Sequence, residues 1–85
     1  MYEIEYKESF FRSFDKLKEK VDSKRVRDRI EQLKFRPFGI GKRLVGHPYW
    51  SLRIGKRTRV IYRIEGNKVI VIDILERKHD YKELG

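Results

Sequence analysis

The sequence predicts an α+β domain, in which a helical hairpin packs on one face of a four-stranded, mainly antiparallel sheet. Three observations carry this expectation. Strictly alternating apolar residues open the chain. Apolar residues three and four apart follow, and three alternating stretches separated by glycine turns come last. The order strand, helix, helix, strand, strand, strand (βααβββ) places one helical layer over one face of a sheet. Residues 1–85 are expected to form a single domain.

Each element has its own signal. Tyr2, Ile4 and Tyr6 alternate with Glu3, Glu5 and Lys7, as in a half-buried strand. Ser9 is positioned to cap a helix whose inner face is Phe10, Phe14, Leu17 and Val21, with Phe11 widening the stripe. Asp22 or Ser23 can cap a second helix, with Val26, Ile30 and Leu33 facing inward. Arg36-Pro37 ends it, because the residue before proline avoids the helical region. Phe38–Pro48, with three glycines and Lys42-Arg43, reads as a loop. Strands are expected near 49–54, 58–65 and 68–75, with turns at Gly55 and Gly66-Asn67.

Alternation then sorts side chains between the two sheet faces. Trp50/Leu52/Ile54, Val60/Tyr62/Ile64 and Ile70/Ile72/Ile74 are expected under the helices. Ser51, Arg53, Arg59, Ile61, Arg63, Val69, Val71, Asp73, Leu75 and Arg77 then lie on the open face. Three-residue loops at 55–57 and 66–68 pair Ile54 with Thr58 and Glu65 with Val69, because cross-strand partners share a face. Arg53 then stands opposite Arg59, and Arg59 opposite Leu75, with Arg77 one diagonal step away. Like charges about 6 Å apart repel by roughly 0.7 kcal/mol in water and about 3 kcal/mol at an effective dielectric of 20. A bound phosphate would reverse the sign, and arginine offers a permanently charged planar fork for one. The competing reading is that the arginines splay and pair with Asp73, Glu65 or Glu76.

Charge supports an anionic partner. The chain carries 22 Lys and Arg against 13 Asp and Glu, a net +9. The excess is not uniform: every ionised side chain from Arg36 to Arg63 is cationic. Lys42, Arg43, Lys56, Arg57 and Lys78 are expected to contact a polyanion such as RNA. The longest apolar run, Val69–Ile72, is far short of the ~20 residues of a membrane span. The first residues lack the basic start and apolar middle of a signal peptide, so a soluble cytoplasmic protein is expected, with no membrane partner.

Several chemistries find no footing. There is no cysteine, and two histidines, His47 and His79, stand far apart, so neither a metal nor any other cofactor is expected. Gly39-Ile40-Gly41-Lys42 resembles a phosphate loop only superficially, since no strand feeds it. Phosphate chemistry without metal can use the 2′-hydroxyl of RNA as nucleophile. It needs a base, a cationic cradle and an acid for the 5′-oxygen. The arginines suit the cradle. His79 and Tyr81 are candidates for proton transfer, and Tyr81 also for base stacking.

Two stretches, "RLVGHPYWSLRIGKRTRVIYRI" and "VIVIDILERKHDY", carry a resemblance. Leu44-Val45-Gly46, Trp50-Ser51-Leu52-Arg53, Thr58-Arg59-Val60-Ile61-Tyr62 and Glu76-Arg77-Lys78-His79-Asp80-Tyr81 together are similar to the pattern of the RelE/ParE superfamily of toxins from type II toxin–antitoxin systems. The resemblance covers almost the whole chain. It implies a RelE-like fold and a cognate antitoxin. RelE-like members cleave mRNA in the ribosomal A site without metal, whereas ParE-like members act on DNA gyrase.

By this resemblance Arg59 matches the arginine that stabilises the reacting phosphate. Arg77 matches one linked to transition-state or leaving-group charge, Arg53 a basic residue on the preceding strand, and Tyr81 the C-terminal aromatic. The sequence also departs from the pattern. Ser51 stands where some members have lysine, Glu76 where histidine is frequent, and His79 lies two residues before Tyr81. Asp73 adds an acid to the arginine face, and the general base is left open. The expected function is an mRNA endonuclease toxin, the enzyme acting on ribosome-bound mRNA. The alternatives are a gyrase-directed toxin or a degenerate RNA-binding relative. The expected antitoxin is acidic and partly disordered, folding over the arginine face or displacing the segment after Arg77.

Overall fold

The structure, a computed structural model, describes residues 1–17 and 21–76. Strand β1 (Glu3–Tyr6) leads into α1 (Glu8–Asp15), and α2 (Ser23–Glu31) continues into a 3-10 turn at Gln32–Lys34. Then come β2 (Lys42–Arg43), β3 (Trp50–Ile54), β4 (Thr58–Glu65) and β5 (Lys68–Glu76). The strands form one sheet in the order β1-β5-β4-β3-β2. Only the β1–β5 pair is parallel: the helices carry the chain from β1 to β2 at the opposite edge, and the antiparallel meander β2–β5 returns it beside β1. The α+β class and the helical layer are as expected from the sequence.

The sheet has five strands rather than four. Lys42 and Arg43, expected in a loop, pair with Ser51 and Trp50. Two charged residues offer no apolar alternation, so this strand leaves no pattern. It is held by a hairpin in which the Leu44 N–H donates to the Tyr49 carbonyl at 3.0 Å. The turn closes from the His47 N–H to the Leu44 carbonyl, with Gly46 at φ 80° supplying the left-handed residue.

The helices begin and end for local reasons. Lys7, not Ser9, occupies the N-cap position of α1, and its side chain makes no capping hydrogen bond. The Ser9 hydroxyl instead donates to the Ile72 carbonyl of β5 at 2.6 Å, tying the first helical turn to the sheet. α1 ends at Asp15, before the expected Leu17 and Val21, yet both still pack half-buried on the core. The Asp22 carboxylate caps α2 by accepting the Lys24 N–H at 3.0 Å. The 3-10 turn stops just before Arg36-Pro37.

Phe10, Val26, Ile30 and Leu33 from the helical layer meet Leu52, Ile54, Val60, Tyr62, Val69, Val71 and Ile74 from the sheet. Each such fully buried side chain contributes roughly 1.5–3 kcal/mol relative to exposure. Tyr62 is the largest fully buried residue. Its hydroxyl donates to the Pro37 carbonyl at 2.8 Å, which satisfies the buried phenol. Gly41 passes directly over that phenol, and any Cβ at position 41 would overlap the Tyr62 hydroxyl.

Strand β5 departs from the expected face assignment. The turn after β4 has two residues, and Glu65 pairs with Lys68, not Val69. A bulge then follows: Tyr62 pairs with Val71 and Ile61 with Asp73, leaving Ile72 as the extra residue. Val69 and Val71 therefore face the helices, together with Ile74, while Ile70 and Ile72 do not join that core. The cause is the uninterrupted apolar run Val69–Ile72, in which either face can be buried. The shorter turn and the added residue cancel, so Arg59 still pairs with Leu75 as expected.

Candidate functional site

The register arranges the face away from the helices in rows across the strands, with Ser51, Ile61 and Ile70 buried along its middle. One row is Arg53–Arg59–Leu75. The next is Lys42–Ser51–Ile61–Asp73. Further along, Arg63, Ile70 and Glu5 form a third. Arg53 and Arg59 are thus direct cross-strand partners, as the loop length of 55–57 required.

The two guanidinium groups do not stack on one another. Arg53 Nε donates to the Gly55 carbonyl at 3.1 Å and stays exposed. Arg59 is half-buried and sends Nη1 to Ser51 Oγ at 3.5 Å, over the neighbouring row. Ser51 is buried and in turn contacts the Lys42 carbonyl at 3.4 Å. Splaying separates the charges while keeping both on one face. Arg63 pairs with Glu65, Nε to Oε2, at 2.7 Å. Lys7 stands 3.1 Å from Glu5 and holds its carboxyl below the usual range, with smaller help from Lys68 and Arg63. The acids of the Arg63 end are therefore matched by cations.

At the opposite end the face is more cationic. Lys56 and Arg57 are exposed on the β3–β4 turn, whose Gly55 takes φ 65°. Arg25 reaches this turn from α2, a contribution that sequence spacing alone did not single out. Lys42 and Arg43 are exposed on the edge strand β2. Of the remaining sequence-derived candidates, Arg77, Lys78, His79 and Tyr81 lie outside the described residues. Among the described residues, no group of three His, Asp or Glu side chains is placed to hold a metal ion.

A second surface lies on the helical side. Tyr6, Phe10, Phe11, Phe14, Val26 and Ile30 line a groove of about 420 Å3, and Lys24 and Arg27 form its cationic rim. Phe11 stacks on Tyr6 with ring centroids 5.7 Å apart, yet remains 52% exposed. The doubled Phe10-Phe11 is the sequence signal for this surface: one ring fills the core and the other is left outside.

Comparison with known proteins agrees with this architecture. Residues 4–81 match the family described as the ParE toxin of the type II toxin–antitoxin system, parDE. No curated protein matches the chain. Among solved structures, a copper-bound mutant toxin from Helicobacter pylori is 21% identical, with a TM-score of 0.75 and coverage of 93% of this chain and 98% of that one. The YoeB/ParE toxin from Agrobacterium tumefaciens is 25% identical, with a TM-score of 0.69 over 87% and 96% of the two chains. The RelB–RelE antitoxin–toxin complex from Methanococcus jannaschii gives 20% identity and a TM-score of 0.69 over 95% and 99%.

Proposed function

The chain belongs to the family of ParE toxins of type II toxin–antitoxin systems, and on that premise we propose that it is a cytoplasmic toxin that cleaves ribosome-bound mRNA by attack of the RNA's own 2′-hydroxyl. The observation that carries this reading is the opposition of Arg53 and Arg59 on the sheet face away from the helices, with Arg53 exposed and Arg59 half-buried over Ser51. Opposed like charges are disfavoured in a sheet, and a bound anion would turn the repulsion that remains after splaying into attraction. Arg59 would stabilise the charge gathering on phosphorus, and Arg53 would orient the phosphate. Arg77, His79 and Tyr81 are proposed for leaving-group charge, proton transfer and base stacking. Lys42, Arg43, Lys56, Arg57 and Lys78 would draw in the RNA backbone, making binding salt-sensitive. Among the described residues, no helix is long and apolar enough to cross a membrane.

A second reading, inhibition of DNA gyrase, is favoured by the matched family itself. Paired assays separate the two. Cleavage of mRNA on translating ribosomes that is lost in Arg59→Ala supports the first reading. Inhibition of gyrase supercoiling that survives Arg59→Ala supports the second and rejects the first.

A cognate antitoxin is part of either reading. The groove beside Phe11 suits the apolar stripe of an amphipathic antitoxin helix, whose acidic flank would meet Lys24 and Arg27. The net charge of +9 favours such an acidic partner over a basic one.

A further inference from the structure

We propose that Asp73 is the general base for the 2′-hydroxyl, a role that rests on the ribonuclease reading above. The bulge in β5 sets the direction of this side chain. Val69 and Val71 face the helices, so unbroken alternation would send Asp73 into the same core. The extra residue Ile72 reverses the alternation, and Asp73 comes out on the arginine face opposite Ile61. The bulge is braced from outside the strand by Ser9 Oγ on the Ile72 carbonyl and by the Lys7 N–H on the Val71 carbonyl, 2.9 Å apart. The backbone thus takes on an irregularity whose result is to present one carboxylate beside Arg59.

One oxygen of the carboxylate is held and the other is left open. Asp73 Oδ1 takes the Ile74 N–H at 2.8 Å, which fixes the side chain and leaves Oδ2 for another donor. Among the described residues Asp73 forms no ion pair, whereas Glu5, Glu8, Glu31 and Glu65 each do. Asp73 is one diagonal step from Arg59, whose guanidinium leans the other way, toward Ser51. Ser51 and Asp73 share a row two strands apart, a separation of about 10 Å. Buried Ile61 fills the middle of that row, so a phosphate held by Arg59 would lie above it, with the adjoining ribose 2′-oxygen on the Asp73 side. In the step, Asp73 Oδ2 takes the 2′-hydroxyl proton and the 2′-oxygen forms a bond to phosphorus. The phosphorus–5′-oxygen bond breaks, and the departing 5′-oxygen takes a proton from water. The products are a 2′,3′-cyclic phosphate and a 5′-hydroxyl end.

Asp73→Asn tests this, because the amide oxygen can keep the Ile74 hydrogen bond while the proton acceptor is lost. Single-turnover cleavage and binding are measured on ribosomes programmed with a short mRNA, beside wild type, Arg59→Ala and Asp73→Ala with added formate. The expected result is a fall in cleavage rate of about 10²–10⁴-fold in Asp73→Asn, with RNA affinity unchanged or tighter because a negative charge has gone. Partial recovery of Asp73→Ala by formate is expected too. Cleavage by Asp73→Asn within about threefold of wild type, a threshold far below the effect of a general base, overturns the assignment while leaving the ribonuclease reading intact. Equal loss of rate and affinity marks a structural role and also overturns it. If wild type does not cut, the ribonuclease reading fails and the role of Asp73 falls with it.

Discussion

Arg53 and Arg59 face each other across β3 and β4, yet Arg53 turns to the Gly55 carbonyl and Arg59 to Ser51 Oγ. The sheet therefore holds two cations on one face without letting them touch. Replacing Arg59 with alanine relieves the remaining repulsion and removes the half-buried donor. Stability to urea is expected to change by less than about 1 kcal/mol, because the relieved repulsion offsets the packing lost with a half-buried stem. Cleavage, in contrast, is expected to fall by about 10²–10³-fold, as for loss of one preorganised charge donor. Equilibrium unfolding alongside single-turnover cleavage separates the two effects.

Gly41 matters for space rather than for phosphate binding. Gly41→Ala drives a methyl into the Tyr62 hydroxyl and pushes it off the Pro37 carbonyl. Overpacking of this kind costs about 1–3 kcal/mol. Tyr62→Phe loses only the hydrogen bond and leaves the carbonyl unpaired, about 1–2 kcal/mol. Urea titration is expected to rank wild type above Tyr62→Phe. In the double variant Tyr62→Phe/Gly41→Ala, the cost of the alanine should shrink but not vanish, because the oxygen it overlaps is gone while the ring carbon behind it stays close.

The same phenol sets an alkaline limit. Burial raises the pKa of Tyr62 well above its ordinary value of 10.0, and burial together with Glu31 raises that of Tyr6. Both groups are folded in the neutral form. Their contribution is fully present below the unfolded phenol value near 10 and is lost as pH rises beyond it. Stability measured between neutral pH and the alkaline range should fall above pH 10, and the fall should be shallower in Tyr62→Phe.

The aromatic groove predicts a separable defect. Phe11→Ser removes an exposed ring from the α1 side of the groove while Phe10 keeps its place in the core. Titration calorimetry with the cognate antitoxin should show weakening of about 10-fold or more, the scale of a hot-spot aromatic. Cleavage by the free toxin should be unchanged. Undiminished antitoxin affinity would place the partner elsewhere.

Much of this was legible in the residues, for physical reasons that can be named. The Arg53–Arg59 pairing followed from a three-residue turn and a strict alternation in which the polar and apolar faces cannot be exchanged. β5 offered no such constraint, because Val69–Ile72 are apolar on both faces, and so the bulge and the face of Ile70 were not readable. The edge strand at Lys42–Arg43 was hidden by its charge and shortness. The close approach at Gly41 depends on a residue 21 positions away, which local patterns do not report. Arg25 joins the cationic end only because α2 docks over the β3–β4 turn.

On the proposed function, the arginine face positions RNA for attack by its own 2′-hydroxyl. The most direct test places a single 2′-deoxy nucleotide at the scissile position of an otherwise unmodified mRNA on the ribosome. The account predicts that the unmodified message is cut to a 2′,3′-cyclic phosphate and a 5′-hydroxyl, and that the 2′-deoxy message stays intact at that position. Equal cleavage of both messages would contradict it, as would no cleavage of either by a folded, antitoxin-free toxin.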